Sequence, residues 1–237
     1  MIHLGCAGWS LSRTQAEHFS TQGSHLERYA STLDAVEINS SFYRPHRPAT
    51  YARWAASVPE TFRFSVKVPK HITHEQRLVD CEPALITFLD QCGELGERLG
   101  CLLVQLPPSL VYEPELVKRF LGQLRNHFTG HVAIEPRHRT WIAAEPLLID
   151  MQIAQVAADP SRYGADAAPR GWPGLVYWRL HGSPKVYYSD YPSDWLQKLA
   201  PELMASASAG RPTWCIFDNT AADAAVGDAL EMQALVR

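Results

Sequence analysis

No uncharged apolar run in this chain approaches about 18 residues, the length that spans a bilayer. Met1 leads straight into a predicted strand, without the basic and apolar segments of a secretion signal. A cytoplasmic protein without membrane contact is the expectation. The five cysteines are an odd number and include no C-x-x-C pair, which argues against a secreted disulfide framework. Cys6, Cys101 and Cys215 fall inside predicted strands, where a free thiol behaves as a small buried hydrophobe. No large excess of either charge is present: the formal net charge of -3 excludes a broadly basic surface, so any nucleic-acid contact has to be local. No H-E-x-x-H or comparably tight metal motif occurs.

What the chain does have is a set of apolar segments that each end on a charged or amide residue. They are Ala35 to Asn39, Phe64 to Lys67, Cys101 to Gln105, Val132 to His138, Gln155 to Asp159, Val176 to His181 and Cys215 to Asn219. Runs rich in Val, Ile and Leu with weak alternation suit strands covered on both faces, as in a parallel sheet. With Ile2 to Cys6 they make about eight, the number a closed barrel uses. The connections carry helical patterns: Leu26 to Leu33, Ala49 to Ser57, a helix opened by Pro83, Glu113 to His127, Ala144 to Asp150, Asp194 to Ser206 and Ala221 to Val236. Pro160 to Gly174 is too rich in Pro and Gly for a helix and reads as a long surface loop, with a lid as the alternative. The expectation is a TIM-type (β/α)8 barrel, an α/β fold of one domain spanning residues 1–237.

Six segments, Val36 to Arg44, Phe64 to Lys67 with Ile72-Thr73-His74, Gln105 to Ser109, Glu135 to His138, Arg179 to Gly182 and Phe217 to Thr220, with Gly5 to Ser10, resemble the successive signatures of the YecE-like family, domain of unknown function 72. The resemblance covers nearly the whole chain and implies a TIM-type barrel. It implies no particular activity. Asp218 stands where the family pattern usually carries Asn, and Leu11 to Ser24 departs from its usual aromatic-rich first loop.

Strand ends in such a barrel share one mouth. Glu37, Lys67, Glu135, Arg137, His138, Asp159, Arg179, His181 and Asp218 are expected there, joined by Asn39, Tyr43 and Asn219. Lys67, Arg137 and Arg179 among carboxylates favour an anionic ligand, because charge-assisted bonds are about twice as strong as neutral ones. The reading is a phosphate-bearing ligand, with nucleotide or nucleic acid ahead of sugar phosphate, and hydrolysis as the reaction class. Arg137 and Arg179 would clamp the anion, Glu135 or Asp159 would act as general base, and His138 or His181 would protonate the leaving group.

Two alternatives stay open. One is a binding protein without turnover. The other is a metal-dependent phosphodiesterase, with zinc or manganese held by Glu135, His138, Asp159, His181, Asp218 and the pair His71 and His74. Arg137 and Arg179 beside those ligands would repel a cation, so a divalent metal is not favoured and no cofactor is assigned. His71 and His74 read as loop histidines, and Thr220 with Asp223 as a helix cap. Lys67 invites a Schiff-base reading, with an ion pair to a neighbouring glutamate as the expected role. Trp9, Phe42, Tyr43, Trp141, Tyr187, Tyr188 and Tyr191 are candidate rim aromatics for stacking on a base or sugar.

Overall fold

The computed structural model describes residues 1–11, 13–161 and 167–237. Its strands are β1 (Ile2–Ala7), β2 (Ala35–Ile38), β3 (Arg63–Lys67), β4 (Leu99–Gln105), β5 (Val132–Glu135), β6 (Ala154–Gln155), β7 (Ala157–Asp159), β8 (Arg170–Gly171), β9 (Val176–Leu180) and β10 (Thr213–Phe217). β1 lies between β10 and β2, and β3, β4, β5 and β6 follow in order, all parallel. β9 pairs with β10 on one side and β7 on the other.

The barrel closes through one residue. β6 and β7 are halves of a single stave interrupted at Val156, so the same segment pairs with β5 at its start and β9 at its end. The Val156 N–H still donates to Ile134 O at 2.9 Å, and the His181 N–H donates to Asp159 O at 2.8 Å. Eight staves therefore form a TIM-type barrel, as the segment count predicts.

The segment from Pro160 to Gly174 differs from the expected plain loop. Within it, β8 runs antiparallel to β6 and fills the seam at the foot of the split stave. Gly171 sits there at φ +70°, and a Cβ would lie 2.7 Å from Ile153 O, so only glycine permits the approach. Whether this connection forms a lid falls on residues 162–166, outside the described residues.

The helices are α1 (His25–Ala30), α2 (Pro48–Ala56), α3 (Glu82–Gly93), α4 (Pro114–His127), α5 (Glu145–Asp150), α6 (Ser193–Ser208) and α7 (Ala224–Val236). In α4 the buried Val117, Phe120, Leu121 and Leu124 recur at helical spacing. α1 opens on a capping box of Ser24 and Glu27. The box expected of Thr220 and Asp223 does not form, because α7 starts only at Ala224, with Asp223 left-handed at φ 62° before it.

Strand alternation divides the apolar residues into two cores. Val36, Ile38, Val66, Leu102, Val104, Ile134, Trp178, Leu180 and Phe217 face outward beneath the helices. Ala35, Cys101, Leu103, Ala133, Tyr177, Trp214 and Ile216 fill the barrel. Tyr177 stacks on Trp214 with ring centroids 5.8 Å apart, and His3 leans on the same indole at 4.6 Å. All five cysteines are free and buried; burial pushes the Cys6 thiol up to about 12. Among the described residues, no helix is long and apolar enough to cross a membrane.

Candidate functional site

The period of two that places Ala35, Ala133, Tyr177 and Ile216 inside the barrel brings Glu37, Glu135, Arg179 and Asp218 onto the same face, one step nearer the mouth. Arg179 is the hub. Its Nε donates to Glu37 Oε2 at 2.9 Å, its Nη2 to Glu37 Oε1 at 2.8 Å and its Nη1 to Glu135 Oε2 at 3.0 Å. Asp218 Oδ2 lies 3.0 Å from the same Nη2. The guanidinium has no exposed surface, and the three carboxylates hold its proton far more tightly than water would despite the burial that opposes the charge.

His181 closes a second ring of contacts, with Nδ1 3.0 Å from Asp218 Oδ2 and Nε2 3.2 Å from Glu135 Oε1. Only the doubly protonated ring satisfies both oxygens. Burial works against that charge, but Glu135 and Asp218 prevail and the imidazole pKa is raised. Burial would likewise raise Glu135, yet Arg179, His181 and Arg137 hold it well below the usual carboxylate range. Arg137 reaches Glu135 Oε1 through Nε at 3.0 Å and Nη2 at 2.9 Å, and its outer edge lies 3.4 Å from the Tyr187 hydroxyl. Beneath, the Tyr177 hydroxyl lies 3.2 Å from Glu37 Oε2 and 2.9 Å from Ser65 Oγ.

Lys67 departs from its expected ion pair. Its side chain is buried, but among the described residues no carboxylate lies within ion-pair distance of its Nζ, which stands 4.2 Å from the centre of the Phe42 ring. The reason is competition: every carboxylate of the mouth centre is engaged by Arg179, His181 or Arg137. Burial, with Arg179 adding to it against the pull of Glu37, Asp218 and Glu135, lowers the Lys67 ammonium to about 8. Four cations, Lys67, Arg137, Arg179 and protonated His181, thus stand around three carboxylates, Glu37, Glu135 and Asp218, with the carboxyl of Asp159 set apart on the Tyr191 hydroxyl.

Other predicted site residues are deployed differently. His138 caps the short helical turn Arg139–Ala144, its Nδ1 accepting from the Thr140 N–H at 3.4 Å with the Thr140 hydroxyl 2.9 Å away. Asn219 points away from the barrel axis and donates through Nδ2 to Ser189 O at 2.8 Å and Asp228 Oδ2 at 2.6 Å. Asp159 accepts from the Tyr191 hydroxyl at 2.9 Å, and partial burial raises its carboxyl. Asn39 sits at the start of the turn Ser40–Phe42 with a buried, unpartnered Oδ1. Tyr43 is exposed and packs edge-on to Phe42 at 5.0 Å.

Of the candidate aromatics, Trp141 and Tyr191 are core residues, while Tyr43, Tyr187 and Tyr188 keep exposed faces. Trp9 packs edge-on against Trp54.

His71 and His74 belong to the helical turn His71–Glu75, where His71 pairs with Glu75 at 3.0 Å. His74 packs edge-on to Phe42 at 4.9 Å, and burial, then Lys67, Arg137 and Arg77, lower its pKa. Among the described residues no group of three or more His, Cys, Asp or Glu side chains is arranged to hold a metal ion; Glu135 and Asp218 turn their oxygens to Arg179 instead.

Sequence reading missed Ser65 and Tyr177, although each lies two residues below a site residue on its own strand, Lys67 and Arg179, and so shares its face. It also missed the backbone at the rim. Arg77, Leu78 and Asp80 are left-handed at φ 52°, 69° and 45°, and Tyr187 is at 72°. Such conformations in non-glycine residues concentrate where surrounding structure over-determines them.

These features define a TIM-type barrel protein with a charged, lysine-bearing mouth at the C-terminal ends of its strands. The chain belongs to the family described as "Protein of unknown function DUF72", whose model matches residues 3–237. The YecE protein of Escherichia coli K12 is 29% identical over 144 residues, 60% of this chain and 51% of the relative. YunF of Bacillus subtilis 168 is 27% identical over 158 residues, 60% of this chain and 53% of the relative. The match thus spans about half the length of these curated relatives. A DUF72 family protein of Enterococcus faecalis V583 superposes with a TM-score of 0.82 at 24% identity, covering 100% of this chain and 95% of the other. One from Thermotoga maritima MSB8 gives 0.79 at 21%, covering 100% and 99%. At that identity the two structures speak for the fold.

Proposed function

We propose that the mouth binds a small phosphate-bearing ligand whose anionic group is drawn in by Lys67. The single observation that carries this reading is that the buried residue Lys67 has no carboxylate partner for its ammonium among the described residues, while three neighbouring carboxylates serve other cations. A desolvated cation of that kind gains more from an arriving anion than a surface lysine does. Arg137 supports it at the rim. Arg179, which sequence reading made a clamp, acts as scaffold, since its donors are consumed inside the protein. The burial of Lys67 and the net charge of -3 favour a small ligand, a sugar phosphate or nucleotide, over a polynucleotide.

Hydrolysis is the second reading, and Asp159 is the observation behind it. Its raised carboxyl suits a general base better than Glu135, whose protons are hard to hold between three cations.

The test is calorimetric titration with inorganic phosphate, adenosine monophosphate and glyceraldehyde 3-phosphate, on the wild type and on Lys67→Met. Saturable binding in the wild type, weakened at least about tenfold in Lys67→Met with the fold intact, is the expected result. Equal affinity in both would remove Lys67 from the site.

A further inference from the structure

We infer that Lys67 is an imine-forming lysine and that the ligand it serves is a small phosphorylated aldehyde or ketone. The inference rests on the phosphate-binding reading above and adds a covalent role to the same residue. A lysine that merely balances charge sits against a carboxylate, as Lys70 does with Glu75 at 3.2 Å and Lys198 with Asp194 at 3.1 Å. Among the described residues Lys67 has no such partner, although Glu37, Glu135 and Asp218 all belong to the same mouth, each gripped by Arg179.

Its surroundings are those that make an amine a nucleophile. One side is the Phe42 ring, the residue is almost wholly withdrawn from water, and the charge of Arg179 opposes a second positive charge. The lowered ammonium pKa, about 8, agrees with that placement and leaves a usable fraction of neutral amine near neutral pH. Arg137 is anchored to Glu135 through Nε and Nη2, while Nη1 reaches the Tyr187 hydroxyl at 3.4 Å, a long contact that a phosphate oxygen improves on.

The chemistry balances without a further reagent. The neutral Nζ adds to the carbonyl carbon, the new C–N bond forming as the C=O π pair moves to oxygen, and an amine proton passes to that oxygen to give a carbinolamine. The carbinolamine oxygen takes up one proton from solvent and departs as water while the nitrogen lone pair closes the C=N bond; the nitrogen keeps its remaining hydrogen, so the product is the protonated imine. The protonated imine withdraws electrons from the adjoining carbon, which prepares cleavage of the neighbouring C–C bond or exchange of a proton there.

Reductive trapping tests this. The full chain is incubated with sodium cyanoborohydride and either glyceraldehyde 3-phosphate or dihydroxyacetone phosphate, then examined by intact mass and peptide mapping. The expected result is one adduct per chain, on Lys67, formed about tenfold or more faster than on any surface lysine, as the difference in free-amine fraction requires. Lys67→Arg should abolish that adduct while keeping inorganic phosphate binding, because the cation is retained. Labelling spread evenly over Lys70, Lys118, Lys185 and Lys198, or absent from Lys67 in the wild type, overturns the inference, and that reading needs no variant. Phosphate binding without a Lys67 adduct sinks the imine alone; an absence of phosphate binding sinks the parent proposal.

Discussion

Arg179 and Glu37 meet side by side, Nε on Oε2 at 2.9 Å and Nη2 on Oε1 at 2.8 Å, and neither side chain has any exposed surface. A guanidinium matches a carboxylate this way because both are planar and fork-shaped. Two further carboxylates complete the fit, so the pair anchors the polar layer above the apolar floor of Tyr177 and Trp214.

Replacing Arg179 by Met should destabilise the protein by about 3 to 5 kcal/mol, because Glu37, Glu135 and Asp218 would be left buried without their shared cation. Arg179→Lys should recover little of this, since an ammonium cannot form the fork. Urea unfolding of both variants measures the loss. A change under about 1 kcal/mol for Met would show that the carboxylates take up protons or water at no cost.

Arg137→Ala should behave in the opposite way. Glu135 keeps Arg179 and His181, so stability should fall by no more than about 1 kcal/mol, while phosphate binding weakens by about 1.5 to 3 kcal/mol if the guanidinium contacts the anion. Calorimetry beside thermal melts separates these effects. A variant that melts early and binds normally assigns Arg137 to the scaffold.

Asn219→Ala should leave ligand affinity unchanged but lower stability by about 1 to 3 kcal/mol, through the unpaired Ser189 carbonyl and the buried Asp228 carboxylate. The loop it ties down contains Gly182 at φ +89°, where a Cβ would fall 2.6 Å from Ser189 O. Hydrogen exchange should therefore rise from residue 182 to residue 191 in the variant. Faster exchange confined to α7 instead would place the effect on the helix.

Stability should depend on pH through the buried charges of the mouth. Glu135 and Asp218 are depressed in the folded state, so their contribution is complete above their unfolded values of about 4.5 and 3.8 and is lost as pH falls below them. His181 is raised, so its contribution is complete below about 6.5 and is lost as pH climbs through its folded value. Asp228, raised by burial to about 6, falls away in the same direction. Lys67 works the other way: with its ammonium lowered to about 8, stability grows as pH rises through that value and offsets part of the alkaline loss. Denaturation from pH 4 to 9 should show loss at the acid end, and His181→Gln should remove the share of alkaline loss that His181 contributes. An unchanged alkaline slope in that variant would mean that His181 is neutral in the folded protein.

Much of this architecture is written locally. Apolar runs ending on polar residues mark the staves, and α4 is legible from Val117, Phe120, Leu121 and Leu124 because burying one helical face requires that spacing. Strand parity, also a local property, explains why Glu37, Glu135, Arg179 and Asp218 share the interior once any one of them is placed there. The sequence by itself thus determined the barrel, its polar end and the residue types gathered there. It did not determine how their charges pair. Lys67 and Arg179 look equivalent along the chain, and the expectation gave Lys67 a glutamate and Arg179 a ligand. Only the closed barrel, which brings carboxylates from β2, β5 and the end of β10 around one guanidinium, gave those carboxylates to Arg179 and left Lys67 with none among the described residues, because hydrogen bonds at 2.8 to 3.0 Å depend on distances between staves that no single strand encodes.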